Sequence, residues 1–228
     1  KIPSFPRLIS SPNCTATLLL LALFPLHKKF RLKRVVVSTY QAASGAGARA
    51  MQELEEESRA FLSSSPFKRT VFSHPYAFNL FLHNSSLNTE GVYTGYNDEE
   101  VKIVEECRKI LEDPTLAIAP TCVRVPILRA HAESVNAEFE LPVSAQEAKE
   151  ILEQSPGLKI VESWKENFFP MPVEASHKEE VLVGRIRQDI SQDRTLDLWI
   201  VGDQLLKGAA LNMVQILEQI VTTSFVTG

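Results

Sequence analysis

SPNCTATLLLLALFPLHKKF (residues 11–30) runs directly into RLKRVVVSTYQAASGAG (residues 31–47). The first stretch passes from a Pro- and Asn-marked loop into an apolar run, Leu18 to Phe24. A run that is apolar all round predicts a buried helix over 14–30, which Pro25 bends or ends. In the second stretch Val35, Val36, Val37 and Thr39 are β-branched and predict a central strand. The small residues after Gln41 let a ligand or another backbone come close. Cys14 falls at the first turn of the helix. A helix N-terminus carries roughly +0.5 charge, and a cysteine there can drop to a pKa of roughly 3.5–7.5. That position favours a nucleophile. The competing reading is a buried structural cysteine, the usual fate of a free thiol.

Further elements follow outward from this pair. Residues 48–61 have helical spacing, with Met51, Leu54 and Phe61 on one face. Residues 62–96, rich in Ser, Asn, Pro and aromatics, predict a long irregular loop. Asn97-Asp98-Glu99-Glu100 caps a helix reaching about Leu111. Two strand-like runs cover 117–127 and 131–139, and a helix covers about 144–154. Strands follow at 158–162, 181–190 and 196–201, and a last helix runs from about 207 to 220. Strands and helices mix without a clean βαβ repeat. The order predicts an α+β fold, one large mixed sheet with helices packed on one face. A ragged segment is expected at 1–12, one domain at 13–220 and a tail at 221–228.

The 228 residues are 44% hydrophobic and 23% charged with a net charge of −4, which fits a globular domain. The acidic balance points away from nucleic acid and from an anionic membrane surface. The short basic run from Lys28 to Arg34 reads as a solvated helix end. Leu18–Phe24 is too short to span a bilayer and lacks a small-residue cleavage site after it. Three widely spaced cysteines, Cys14, Cys107 and Cys122, argue against a disulfide framework and for a reducing compartment. The expected location is cytoplasmic, with a plastid as the alternative in a photosynthetic eukaryote. No cysteine or histidine pair has metal-ligand spacing, so no structural metal is expected. Cys107 and Cys122 read as core residues. Far along the chain, RVPILRAHAES (residues 124–134) offers His131 as a base, with Arg124 and Arg129 as anion binders. A helix-start cysteine with a distant histidine suggests covalent acyl chemistry. On one regular strand, an offset of seven would put Arg124 and His131 on opposite faces, so the segment must bend, with Pro126 as a candidate cause.

Seven blocks occur in order: SPNCTAT, VVVSTYQAASGAGARAMQEL, YAFNL, GYNDEEVKIVEECRKIL, TCVRVPILRAHAESVN, VGRIRQDIS and VGDQLLKGAALNMVQI. Together they resemble the catalytic and dimerisation domain of aspartate-semialdehyde dehydrogenases, from about Leu8 to Ile220. The resemblance implies the C-terminal fold of glyceraldehyde-3-phosphate dehydrogenase-like enzymes. It also implies NADPH-dependent reduction of L-aspartyl 4-phosphate to L-aspartate 4-semialdehyde through a cysteine thioacyl intermediate. Cys14 matches the family's nucleophile and His131 its acid/base group. Arg124 matches the arginine that grips the substrate carboxylate, Arg129 being the alternative anchor or an ion-pair partner. Gln41 matches a substrate-contacting glutamine, Glu99 the group that meets the amine, and Lys102 the one that meets phosphate. Unaided, Glu99 and Lys102 would read as an exposed i, i+3 ion pair. Ser44, Gly45 and Gln204 match positions touching NADP. The family also implies a homodimer or larger assembly.

Two departures accompany the match. Thr15-Ala16 stands where the family usually has Ser-Thr. The family's N-terminal nucleotide-binding domain, with its Gly-rich fingerprint, has no counterpart in this sequence. The chain alone is therefore expected to be inactive, and the alternative is a catalytically silent dimerisation fragment. The arginine-synthesis acyl-phosphate reductases share the cysteine logic, but the blocks at Gln41 and Arg124–His131 favour the aspartate type.

Overall fold

The computed structural model describes residues 8–226; residues 1–7 of the expected ragged segment and the last two of the expected tail lie outside them. Helix α1 (Cys14–Phe30) leads into β1 (Leu32–Gln41), and α2 (Ala48–Leu62) follows. The next elements are β2 (Phe81–Leu82), α3 (Asp98–Ile110), β3 (Ala117–Arg124), β4 (His131–Phe139), α4 (Ala145–Glu153) and β5 (Leu158–Ile160). Then come α5 (Pro172–Ala175), β6 (Val181–Gln188), β7 (Thr195–Gly202) and α6 (Leu211–Val226). Among the described residues the strands form one mixed sheet of seven, ordered β2-β3-β1-β4-β7-β6-β5. β1 pairs with β3 in parallel and with β4 in antiparallel, so it is central as expected.

Alternation along the strands builds two faces. Val35, Val37 and Thr39 of β1 are buried, while Val36, Ser38 and Tyr40 between them are half-buried. The first set meets the helix layer. Leu18, Leu19, Leu23 and Leu26 of α1 join Val35, Val37, Val135, Leu198 and Ile200 of the strands in one core. α1 is buried over most of its surface, which explains its lack of polar spacing. Pro25 sits inside α1 without ending it, and the helix stops at Arg31, which adopts φ 57°. The opposite face is covered in part by α5, whose Ala175 clusters with Ala132, Leu182 and Val201.

Several boundaries differ from the sequence reading. β3 ends at Arg124 rather than Ile127, and β6 ends at Gln188. Phe61 does not join the buried face of α2 but is 64% exposed. The last helix begins with a π-helical turn, Leu206–Ala210, and continues to Val226, so residues 221–226 of the expected tail are helical. The long loop is pinned. Glu57 accepts hydrogen bonds from the amides of Tyr76 (2.8 Å) and Ala77 (3.0 Å), and Glu53 one from Phe72 (2.8 Å). Phe72 and Tyr76 thereby enter a second small core with Ala43, Ala50 and Leu54. Among the described residues, no helix is long and apolar enough to cross a membrane, and no group of three or more His, Cys, Asp or Glu could hold a metal ion.

Candidate active site

The start of α1 is built by Asn13. Its side-chain oxygen accepts from the amides of Thr15 (3.0 Å) and Ala16 (3.3 Å), two of the donors a helix start leaves without partners. Its side-chain amide donates to Glu99 (2.9 Å) on the first turn of α3. Glu99 Oε1 also accepts from Gln41 Nε2 at 3.0 Å, and Lys102 Nζ lies 4.0 Å from Glu99 Oε2. One carboxylate thus ties the cysteine helix, the end of β1 and α3 together. Burial opposes its charge, yet the bonds from Asn13 and Gln41 and the Lys102 ammonium hold it below the ordinary carboxylate range.

Arg124 and His131 stand on strands that flank β1, one on each side. Gln41 pairs with Arg124 in the parallel register, and Tyr40 with Ala132 in the antiparallel one. The residues between them cross the end of β1, where Ala43 and Ser44 donate to the carbonyls of Ile127 (2.8 Å) and Leu128 (3.0 Å). Arg124 and His131 therefore share the helix-side face with no bend within a strand; Pro126 belongs to the crossing. Arg124 is 5% exposed, donates to the Ala42 carbonyl (3.2 Å) and to His83 Nε2 (2.7 Å), and lies over the Phe72 ring at 5.8 Å. Its Nε has no partner. Arg129 forms an ion pair: its Nε meets the buried Asp203 at 2.7 Å.

His131 is fully buried. Its Nδ1 receives the amide of Ala42 at 3.1 Å, and its Nε2 has no partner. Burial first, then the charge of Arg124, push its pKa down to about 3. Gly45 abuts both groups. A methyl group there would stand 3.0 Å from Arg124 Nη1 and from His131 Cε1, so glycine is what lets the two side chains pack this close. Gln204 donates to Ser44 Oγ and accepts the amide of Ala130 at 3.1 Å, holding together the turn before His131. Gly208, in the π-helical turn, faces Cys14 from the other side. A Cβ on Gly208 would lie 2.9 Å from Cys14 Cβ and 3.1 Å from Gln204 Cβ.

Cys14 is the half-buried thiol, whereas Cys107 and Cys122 are buried, as core residues should be. Its pKa is not lowered. Burial, reinforced by the Glu99 carboxylate, pushes it up to about 12 against the Thr15 amide and Arg124. The helix dipole favours the thiolate, but desolvation opposes it and outweighs it here. Gln41, Glu99, Arg124 and His131 meet with Cys14 at one end of the helix-side face. Ser44, Gly45 and Gln204 line its flank, and Lys102 stands at the rim, its side chain 56% exposed. Sequence reasoning missed His83, which bonds Arg124 and contacts Ser85 Oγ (3.1 Å); it lay in an aperiodic segment that offered no register. It also missed Gly208 and the buried Glu133, two residues after His131 on the same face, whose carboxyl has no partner.

The model of the family described as semialdehyde dehydrogenase, dimerisation domain, matches residues 23–207. Aspartate-semialdehyde dehydrogenases of Prochlorococcus marinus and a Synechocystis species are 51% and 50% identical, over 95% and 94% of this chain. The chain spans 62% of the length of each of these relatives. The solved structure of aspartate semialdehyde dehydrogenase II from Vibrio cholerae, complexed with ASA, aligns with a TM-score of 0.88 at 38% identity, covering 92% of this chain and 61% of that one. With the sheet order, the cysteine at the start of α1 and the arginine–histidine pair flanking β1 in place, the chain belongs to the semialdehyde dehydrogenase family, as its dimerisation domain.

Proposed function

We propose that this chain forms the catalytic and dimerisation part of an aspartate-semialdehyde dehydrogenase, which reduces L-aspartyl 4-phosphate to L-aspartate 4-semialdehyde on the way to lysine, threonine, methionine and isoleucine. The observation that carries the reading is the convergence of Cys14 with Gln41, Glu99, Arg124 and His131 at one end of the sheet. The sulfur of Cys14 attacks the acyl carbon, the carbon–oxygen bond to phosphate breaks, and a thioester remains on the enzyme. Arg124 offers the planar fork that suits a carboxylate. The ionised Glu99 suits an ammonium group, and Lys102 at the rim suits the phosphate. Gln41 spans Glu99 and the substrate, and His131 faces the carbonyl as the proton-handling group. Ser44, bonded to Gln204, and Gly45, packed against Arg124 and His131, stand together on this flank. Those three residues would hold NADP, which when reduced supplies the hydride that turns the thioester into the aldehyde.

Iodoacetamide labelling with peptide mapping tests the reading. L-aspartate 4-semialdehyde, whose aldehyde adds reversibly to a thiol, should protect Cys14 in the wild-type chain. Labelling that ignores the semialdehyde would count against it.

Self-association is the second part of the proposal. Tyr40 and Trp199 pack with their rings tilted, 5.6 Å apart, on the half-buried side of the sheet, away from the helices. A second copy would cover that face. Light scattering at several concentrations should give a dimer; a stable monomer at micromolar concentration would speak against it.

A further inference from the structure

His83 stands beside Arg124, and its bonds leave its ring one arrangement. The His83 amide donates to the Cys122 carbonyl at 2.8 Å, which ties its backbone to β3 next to Arg124. Its Nε2 lies 2.7 Å from Arg124 Nη2. A guanidinium only donates, so Nε2 accepts and carries no proton. Nδ1 faces Ser85 Oγ at 3.1 Å and the Ser85 amide at 3.3 Å. A ring accepting on both nitrogens would be an anion, so the proton sits on Nδ1 and goes to the hydroxyl. The hydroxyl has room for it. Its own hydrogen goes to Asn97 Oδ1 (3.3 Å), which the Glu100 amide (3.0 Å) marks as the acceptor end of that side chain. It also accepts the Glu99 amide at 3.2 Å. Ser85 Oγ thus donates once and accepts twice, its full capacity. One unbroken line of bonds runs from Arg124 through His83 and Ser85 to Glu99.

We propose that His83 is a positioning residue: it aims Arg124 and, through Ser85, sets the distance from that guanidinium to Glu99, so that the two read the carboxylate and the ammonium of one amino-acid head group together. The role rests on the substrate reading proposed above. Among the described residues, the other hydrogen bond of Arg124 goes to the Ala42 carbonyl at 3.2 Å, so His83 fixes the second arm of the fork. A cation could not take its place, because it has no lone pair to offer Arg124. Burial first, then the charge of Arg124, push the pKa of His83 down to about 4; Lys102 acts in the same direction and Glu99 against it. The ring therefore remains an acceptor at neutral pH. Spacing between two opposite charges is a device for choosing one ligand over another that carries only one of them.

Two measurements on the 228-residue chain test it. With 15N-labelled histidine at neutral pH, His83 should show a protonated Nδ1 and a bare Nε2; a proton on Nε2 would overturn the proposal. Protection of Cys14 from iodoacetamide then reads the spacing. L-aspartate 4-semialdehyde carries both charges, 4-oxobutanoate only the carboxylate, and propanal neither. Each adds in the same way: the aldehyde carbon bonds to sulfur and the thiol proton ends on the former carbonyl oxygen. In wild type the two-charge aldehyde should protect at the lowest concentration. His83→Ala should raise the protecting concentration of both carboxylate-bearing aldehydes about 10–100-fold, the worth of a hydrogen bond to a charged group, and leave propanal unmoved. His83→Gln, which keeps an acceptor for Arg124, should lose less than His83→Ala. A variant His83→Ala that still favours the two-charge aldehyde as wild type does, or a His83→Gln as poor as His83→Ala, would overturn the role of His83 while the substrate reading stands. Propanal protecting the wild-type chain as well as L-aspartate 4-semialdehyde would overturn the substrate reading, and the role of His83 with it, whatever the spectrum shows.

Discussion

Glu99 and Glu133 are both buried glutamates on the cysteine side of the sheet, yet their surroundings are opposite. Glu99, at the rim, accepts from Asn13 and Gln41 and has Lys102 nearby. Glu133, in the floor between β1 and β7, is fully buried, and neither of its oxygens has a partner. The rim carboxyl is held ionised below its ordinary range, whereas burial alone lifts the floor carboxyl well above it. Burial by itself drives a carboxyl towards its neutral form, and the donors that accompany it restore the charge. The rim is organised around a negative charge, the floor around a neutral acid.

The largest effect should come from Glu99→Ala. It strands the side-chain amides of Asn13 and Gln41, each costing about 1–3 kcal/mol when buried without a partner. A loss of about 2–5 kcal/mol is expected in urea unfolding. Protection of Cys14 by the semialdehyde should vanish with it. A loss below about 0.5 kcal/mol would mean that water replaces the carboxylate and that Glu99 is no hub.

Glu133→Gln should sharpen the contrast through pH. The folded protein keeps a proton on Glu133 that the unfolded chain loses above 4.5. Stability therefore falls as pH rises from there, by up to about 1.4 kcal/mol per pH unit, until the raised folded value is passed. The glutamine variant lacks this slope and should gain on wild type as pH rises above the ordinary carboxylate range. Glu99 has the reverse sign: its stabilisation is present above its ordinary value and is lost as pH falls through the lowered one. Glu99→Gln should therefore narrow the gap to wild type only on the acid side. Parallel pH dependences for the two variants would break the comparison.

The smallest effect concerns the thiols. Iodoacetamide should label Cys14 ahead of Cys107 and Cys122, because it is half-buried and they are buried. The labelling should still be slow near pH 7 and rise towards high pH, since the thiol sits at about 12. Fast labelling at neutral pH would show that the dipole of α1 outweighs desolvation after all.

Much of the architecture was legible in the residues because local patterns reported it. The apolar run at Leu18–Phe24, the β-branched run at Val35–Thr39 and the capped Asn97–Glu100 turn each specify their own element, and all three occur where expected. The family motifs likewise marked Cys14, Gln41, Glu99, Arg124 and His131. The long segment over 62–96 resisted reading because its order comes from elsewhere. Glu53 and Glu57 of α2 hold its amides, and no period within the segment encodes that.

What the sequence determined by itself was the set of elements and the residue types able to do acyl chemistry, since helix spacing, strand alternation and capping are short-range. What only the tertiary structure decided was the electrical state of those residues. The seven-residue gap between Arg124 and His131 looked like a bent strand, but sheet order sets them on two strands around β1. The dipole of α1 predicted a thiolate, but desolvation by the packed surroundings raises the thiol's pKa instead. Neutral His131, ionised Glu99 and protonated Glu133 follow from partners 58 to 89 residues away or from their absence. Charge depends on what surrounds a group in space, and only the folded chain supplies those surroundings.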